Sequence, residues 1–134
     1  MKTFKCAIIE DSNVQRKILE QIIEKNKNLK LVLSASASTE SLKEINASNI
    51  DLLFLDIEMP VMNGFEFLEG LDIHPQVIIT SQNQKYALEA FNFNVTDFLL
   101  KPFSTVRFDA AIKKAIDKVK TAKQKKPESK LVVK

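Results

Sequence analysis

Polar side chains follow apolar runs at four places in this chain. Glu10 and Asp11 come after Cys6-Ala7-Ile8-Ile9, Asp56 after Leu52-Leu53-Phe54-Leu55, Thr80 after Val77-Ile78-Ile79, and Lys101 after Phe98-Leu99-Leu100. If they meet, these carboxylates, the hydroxyl and the ammonium make a set with a definite chemical meaning. Gathered carboxylates repel and raise one another's pKa unless a cation neutralises them. Hard oxygen donors suit Mg²⁺, which keeps several waters and takes one or two protein carboxylates beside phosphate oxygens. Phosphate chemistry is implied. Asp56 ends the most apolar run and is a sensible nucleophile, because carboxylates form aspartyl-phosphate intermediates. Lys101 would neutralise charge on the phosphoryl oxygens, and Thr80 would donate a hydrogen bond to one of them. Taken singly, each residue has an ordinary structural role: the acids as helix caps, Thr80 in a turn, Lys101 as a surface lysine beside Pro102. Their joint occurrence at the ends of apolar runs carries the functional reading.

The elements that must position them follow from the pattern of apolar residues. Phe4 to Ile9 reads as a buried strand, and Ser12 or Asn13 can cap a helix carrying Ile18, Leu19, Ile22 and Ile23 at helical spacing. Leu29 to Leu33 alternates like a strand, and Ser38 or Thr39 opens a short helix with Leu42 and Ile45. Asp51 to Asp56 is a third strand, closed by the turn residues Met59-Pro60 and Asn63-Gly64. A helix with Phe65, Leu68 and Leu71, a strand from Val77 to Thr80, a helix from Tyr86 to Phe91 and a strand from Asp97 to Leu100 come next. The last helix, about Thr105 to Lys123, sets Phe108, Ile112, Ile116 and Val119 against lysines on its other face. Strands alternating with helices and reading as continuous apolar runs imply a parallel sheet covered on both faces, a doubly wound α/β sandwich. In such a sheet, ligands bind at the carboxyl ends of the strands, where all five polar residues stand.

The bulk composition narrows the class. With 134 residues, 45% hydrophobic and 28% charged, the chain supports one ordinary globular domain. No stretch approaches the roughly 20 apolar residues of a membrane span, and the N-terminus lacks a signal peptide's apolar run, so a cytoplasmic protein is expected. Residues 113–134 carry a net charge of +7, which leaves −4 for residues 1–112. The lysine-rich end reads as a solvated helix face running into a linker rather than a nucleic-acid arm. Cys6, the single cysteine, reads as a core residue, and His74, the single histidine, as an exposed loop residue.

These residues together resemble the receiver domain of two-component response regulators, over about Lys2 to Lys123. The carriers are Ile9-Glu10-Asp11, Phe54-Leu55-Asp56-Ile57-Glu58-Met59-Pro60, Met62-Asn63-Gly64, Thr80-Ser81 and Asp97-Phe98-Leu99-Leu100-Lys101-Pro102-Phe103. The resemblance implies a flavodoxin-like (βα)5 sandwich whose five-stranded parallel sheet has the order 2-1-3-4-5. It implies Asp56 as phosphoacceptor for a sensor histidine kinase. Mg²⁺ would be held by Asp11, Asp56 and the backbone carbonyl of Glu58, with Glu10 assisting through water. Thr80 and Phe98 would form the switch pair, and Lys101-Pro102 would be a cis bond. Glu10 for the commoner Asp, Ser81 for Ala or Gly, and Phe98 for Tyr are departures from the usual pattern. Glu58 and Gln82 occupy positions that tune phosphoryl lifetime in the family.

Asp56-Ile57-Glu58-Met59-Pro60, Tyr86-Ala87-Leu88-Glu89-Ala90-Phe91 and the run from Asp97 to Phe103 resemble the LytTR (LytR/AlgR-type) subgroup, whose members carry a C-terminal DNA-binding domain. Residues 1–123 are accordingly expected to be the receiver. Residues 124–134 would be a linker and the strand-like start, Lys130-Leu131-Val132-Val133-Lys134, of an output domain not contained here. Control of transcription through that domain is expected, with DNA contacted only there, with no membrane partner, and with homodimerisation through the fourth and fifth helices on phosphorylation. A stand-alone receiver acting by protein contact is the competing reading. A haloacid-dehalogenase-like phosphatase fits less well, because Glu58 stands where its general-acid Asp belongs; the chain is expected to turn over no metabolite. A degenerate receiver is disfavoured by the intact acidic, Thr and Lys set.

Overall fold

A computed structural model describes the backbone of residues 3–132 and the side chains of residues 3–122. Strands and helices alternate as β1 (Phe4–Ile9), α1 (Asn13–Glu24), β2 (Leu29–Ala35), α2 (Thr39–Asn46), β3 (Leu52–Asp56), α3 (Gly64–Glu69), β4 (Gln76–Ser81), α4 (Ala87–Asn92), β5 (Asp97–Leu100) and α5 (Thr105–Val132). The strands form one sheet in the order β2-β1-β3-β4-β5, parallel throughout. This is the doubly wound, flavodoxin-like architecture expected. Parallel neighbours need crossovers, and the helices that supply them cover both faces.

Alternation along each strand divides the core in two. Ile9, Leu53, Leu55 and Ile79 face Ile45, Phe67 and Ala90 from α2, α3 and α4. Ile8, Leu52, Phe54, Ile78 and Leu99 face Leu19 and Ile23 of α1 and Phe108 and Ile112 of α5. Every residue of β3 is buried, Asp56 included. Phe54 and Phe108 stack at 5.6 Å between centroids, anchoring α5 across the centre of the sheet. Cys6 is fully buried, and burial, with the nearby Asp51 charge, pushes its thiol up to about 12, so it is a core residue as expected. His74 is exposed.

The helix starts are set by side chains visible in the sequence. Ser12 Oγ accepts from Gln15 N at 3.3 Å, Ser38 forms a capping box with Ser41, and Asn63 forms one with Glu66. Besides shifts of one residue at β3, β4 and α4 and an α3 that ends two residues before Leu71, three boundaries differ from expectation. β2 continues to Ala35 because small residues let it keep pairing with Ile8 and Ile9. The fourth helix is preceded by a 3₁₀ turn at Gln84–Tyr86, where Asn83 Oδ1 accepts from Lys85 N. Finally, α5 continues past Lys123 to Val132, so the backbone there is helical instead of the expected linker and strand-like tail; the lysines, glutamine, glutamate and leucine of that segment are good helix formers. Val133 and Lys134, the end of that tail, lie outside the described residues. Among the described residues no helix is long and apolar enough to cross a membrane.

Candidate functional site

The carboxyl ends of β1, β3, β4 and β5 deliver the site. Parallel pairing sets Asp56 beside Thr80 in register, and the backbone continues the contact, with Ile57 N donating to Thr80 O at 3.1 Å. On the other flank Ile9 pairs with Leu55, so Glu10 emerges next to Asp56. The Lys101-Pro102 peptide bond is cis, as expected. Lys101 N donates to Ser81 O at 2.7 Å, tying the end of β5 to β4.

Lys101 is the hub. Its Nζ donates to Glu10 Oε1 at 2.9 Å and Asp56 Oδ1 at 3.3 Å, and also to Gln15 Oε1. Glu10, Asp56 and Thr80 are each no more than 4% exposed. Burial pushes the Asp56 carboxyl up to about 7; Lys101 pulls against that shift and Glu10 adds to it. Lys101 therefore offsets only part of the cost of an ionised Asp56. A pocket lined by Glu10, Gln15, Thr80, Gln82 and Lys101 opens beside this cluster, with an apolar floor from Ile18, Leu19, Ile22 and Phe103.

Asp11 and Glu58 are engaged differently. Asp11 Oδ1 accepts from Ala37 N at 3.1 Å, across to the loop after β2. Glu58, exposed, accepts at Oε1 from Gln82 N at 2.8 Å, bridging the loops that follow β3 and β4. Glu58 N donates to Asp56 Oδ1 at 3.4 Å. Among the described residues no three acidic, histidine or cysteine side chains form a ready metal cage. The donor chemistry nonetheless fits Mg²⁺, which needs only one or two protein carboxylates and fills the remainder with water. The buried Asp56 carboxylate, with Glu10 beside it, marks where an added cation would offset the cost of burying ionised carboxylates. Phe98 is buried against the α2–α4 side of the core, one residue from Leu99, the partner of Thr80 on β4.

Two polar partners escaped the sequence reading. Gln15 carries no sequence signal as a site residue, since a glutamine near a helix start is unremarkable. Arg107 forms a two-pronged ion pair with the buried Asp97 at 2.7 and 2.9 Å. Burial alone would raise the Asp97 carboxyl, but hydrogen bonds from Arg107 and Phe98 N, together with the charges of Arg107 and Lys114, hold it below its ordinary value. The ten-residue separation of that pair is bridged only by the turn between β5 and α5.

Comparison with known proteins points one way. The family described as response regulator receiver domain matches residues 6–113. The transcriptional regulatory protein NatR of Bacillus subtilis is 31% identical over 117 residues, covering 85% of this chain and 50% of that protein. The sensory transduction protein LytT of Oceanobacillus iheyensis is 33% identical over 132 residues, covering 94% and 54%. The REC domain of AraT, a response regulator from Geobacillus stearothermophilus, superposes with a TM-score of 0.76 at 27% identity, covering 90% of this chain and 98% of that one. The chain spans about half the length of the curated relatives it matches.

Proposed function

The chain belongs to the response regulator receiver domain family of two-component signalling, and from that premise we propose that Asp56 accepts a phosphoryl group from a sensor histidine kinase, with Mg²⁺ beside it, and that phosphorylation switches the domain between two states. The observation that carries this reading is the buried Asp56 carboxylate, paired in register with Thr80 and 3.3 Å from the Lys101 ammonium. An oxygen of Asp56 attacks the phosphorus of the donor phosphohistidine; the new O–P bond forms as the P–N bond breaks and the imidazole leaves. Lys101 and Thr80 stand beside the nucleophile, where equatorial phosphoryl oxygens need donors. Asp11, Asp56 and the Glu58 carbonyl would hold Mg²⁺, with Glu10 through water. The ion would supply charge neutralisation for the carboxylates and the transferred group.

The dianionic phosphoryl biases the switch. Thr80 turns its hydroxyl toward it, and Phe98 repacks in the space that this vacates. Leu88, Phe91 and Val106 of α4 and α5 are exposed, which supports a phosphorylation-dependent homodimer through those helices. The likeness to the transcriptional regulatory protein NatR supports an output in transcription, through a LytTR-type DNA-binding domain following residues 1–123, with the whole protein in the cytoplasm. A phosphatase role is not favoured: Glu58, at the position its general acid would need, is committed to the backbone of Gln82. The chain acts on its own aspartate and turns over no metabolite.

Beryllofluoride with Mg²⁺ tests the switch without chemistry. Size-exclusion chromatography should show a monomer converting to a dimer, with no conversion in Asp56→Asn or without Mg²⁺, and with Leu88→Glu binding beryllofluoride but remaining monomeric. An unchanged elution volume for the saturated wild type would overturn the dimer.

A further inference from the structure

A lysine ammonium has three hydrogen-bond donors and no acceptor. Lys101 has three acceptors around it: a carboxylate oxygen of Glu10, a carboxylate oxygen of Asp56 and the amide oxygen of Gln15. Each donor has a partner. The lysine can donate only, so the amide must present its oxygen there and not its NH₂. Gln15 is held for this task by its own helix start. It lies in the first turn of α1, where its backbone N–H donates to the Ser12 hydroxyl, and Ser12 N in turn donates to Glu10 Oε2 at 3.1 Å. The cap that begins α1 thus fixes two of the three acceptors of Lys101 in one rigid unit.

The three partners are not equivalent. Bonds from an ammonium to a carboxylate are stronger than bonds to a neutral amide. When a phosphoryl oxygen arrives at Asp56, the ammonium must turn a donor toward it, and the neutral amide is the partner released at least cost. We propose that Gln15 is a positioning residue for phosphoryl transfer: its amide holds the third donor of Lys101 in the resting domain and yields it to the incoming phosphoryl oxygen. This rests on Asp56 being the phosphoacceptor. Gln15 makes no claim on the phosphorus or on the metal and acts through Lys101 alone.

Two readouts on Gln15→Met, which keeps length and removes the acceptor, test the assignment. The first is water exchange of the Lys101 ammonium protons, followed by ¹H–¹⁵N NMR in the resting protein; the second is the rate of labelling by acetyl phosphate with Mg²⁺. In wild type the ammonium should be protected. In Gln15→Met protection should be lost, labelling should quicken by up to about five- to tenfold because the bond that wild type gives up on the way to transfer is already absent, and the melting temperature should fall by a few degrees. Gln15→Glu, which restores an acceptor, should restore protection. Unchanged protection in Gln15→Met, or slowed labelling, would overturn the inference. Equal labelling rates with protection lost would overturn it too, because the contact would then have no part in transfer. Wild type that takes no label, with protection still dependent on Gln15, would instead bring down the phosphoacceptor reading, and the positioning role with it.

Discussion

The Asp56 carboxyl stands at about 7 in the folded chain, against an ordinary 3.8. Folding raises its proton affinity, so between about pH 4 and pH 7 the folded state holds a proton that the unfolded chain has released. Stability from this group therefore falls as pH rises through that window and stays low above it. Asp56→Asn removes the carboxylate and leaves Lys101 its bonds to Glu10 and Gln15. The variant should melt a few degrees above wild type at pH 8, on the order of 1 kcal/mol, with the gap closing toward pH 4. Scanning calorimetry at both pH values checks this; a variant less stable than wild type at pH 8 would show that Lys101 overcompensates. At this scale much was legible in the sequence. Asp56, Glu10, Thr80 and Lys101 were found because each ends an apolar run. Which partner each polar group would take was not legible, since Asp11 accepting from Ala37 N and Glu58 accepting from Gln82 N depend on how loops from different strands meet.

Among the elements, the turn from β3 into α3 bears most directly on the nucleophile. A Cβ on Gly64 would lie 2.6 Å from Ile57 Cδ1, 2.8 Å from Asp56 O and 2.9 Å from Ile57 Cα. Gly64 N also donates to Ile57 O at 3.1 Å, so the start of α3 is packed directly on the residues that present Asp56. Two of those three atoms are backbone and cannot swing aside. Gly64→Ala should cost about 1–3 kcal/mol in urea denaturation. Gly70→Ala, which meets mainly the flexible end of Leu42, should cost less, and equal costs would contradict the close packing at Gly64. The element boundaries show where sequence reading stops. β5 was legible to the residue because Asp97 and Lys101 bracket an apolar run. The Gln84–Tyr86 turn was not, because one turn of 3₁₀ helix is too short for a periodic signal. The length of α5 was missed because the charged, polar run after Lys123 read as a linker, whereas the backbone stays helical to Val132.

At the scale of the whole molecule, two apolar cores clamp one parallel sheet, and the cluster of Glu10, Asp56, Thr80 and Lys101 stands at its carboxyl edge. The rigid centre and the mutable edge suit a signalling domain. A phosphoryl group changes charge at the edge, and α4 and α5 beside β4 and β5 expose Leu88, Phe91 and Val106, as α1 exposes Val14 and Ile18. Phosphorylation of Asp56 is the claim on which the rest depends, and intact-mass spectrometry measures it most directly. With acetyl phosphate and Mg²⁺ the wild-type chain should gain the mass of a single phosphoryl group. The gain should vanish in Asp56→Asn and when Mg²⁺ is withheld. No gain in wild type, or an equal gain in Asp56→Asn, would contradict the assignment.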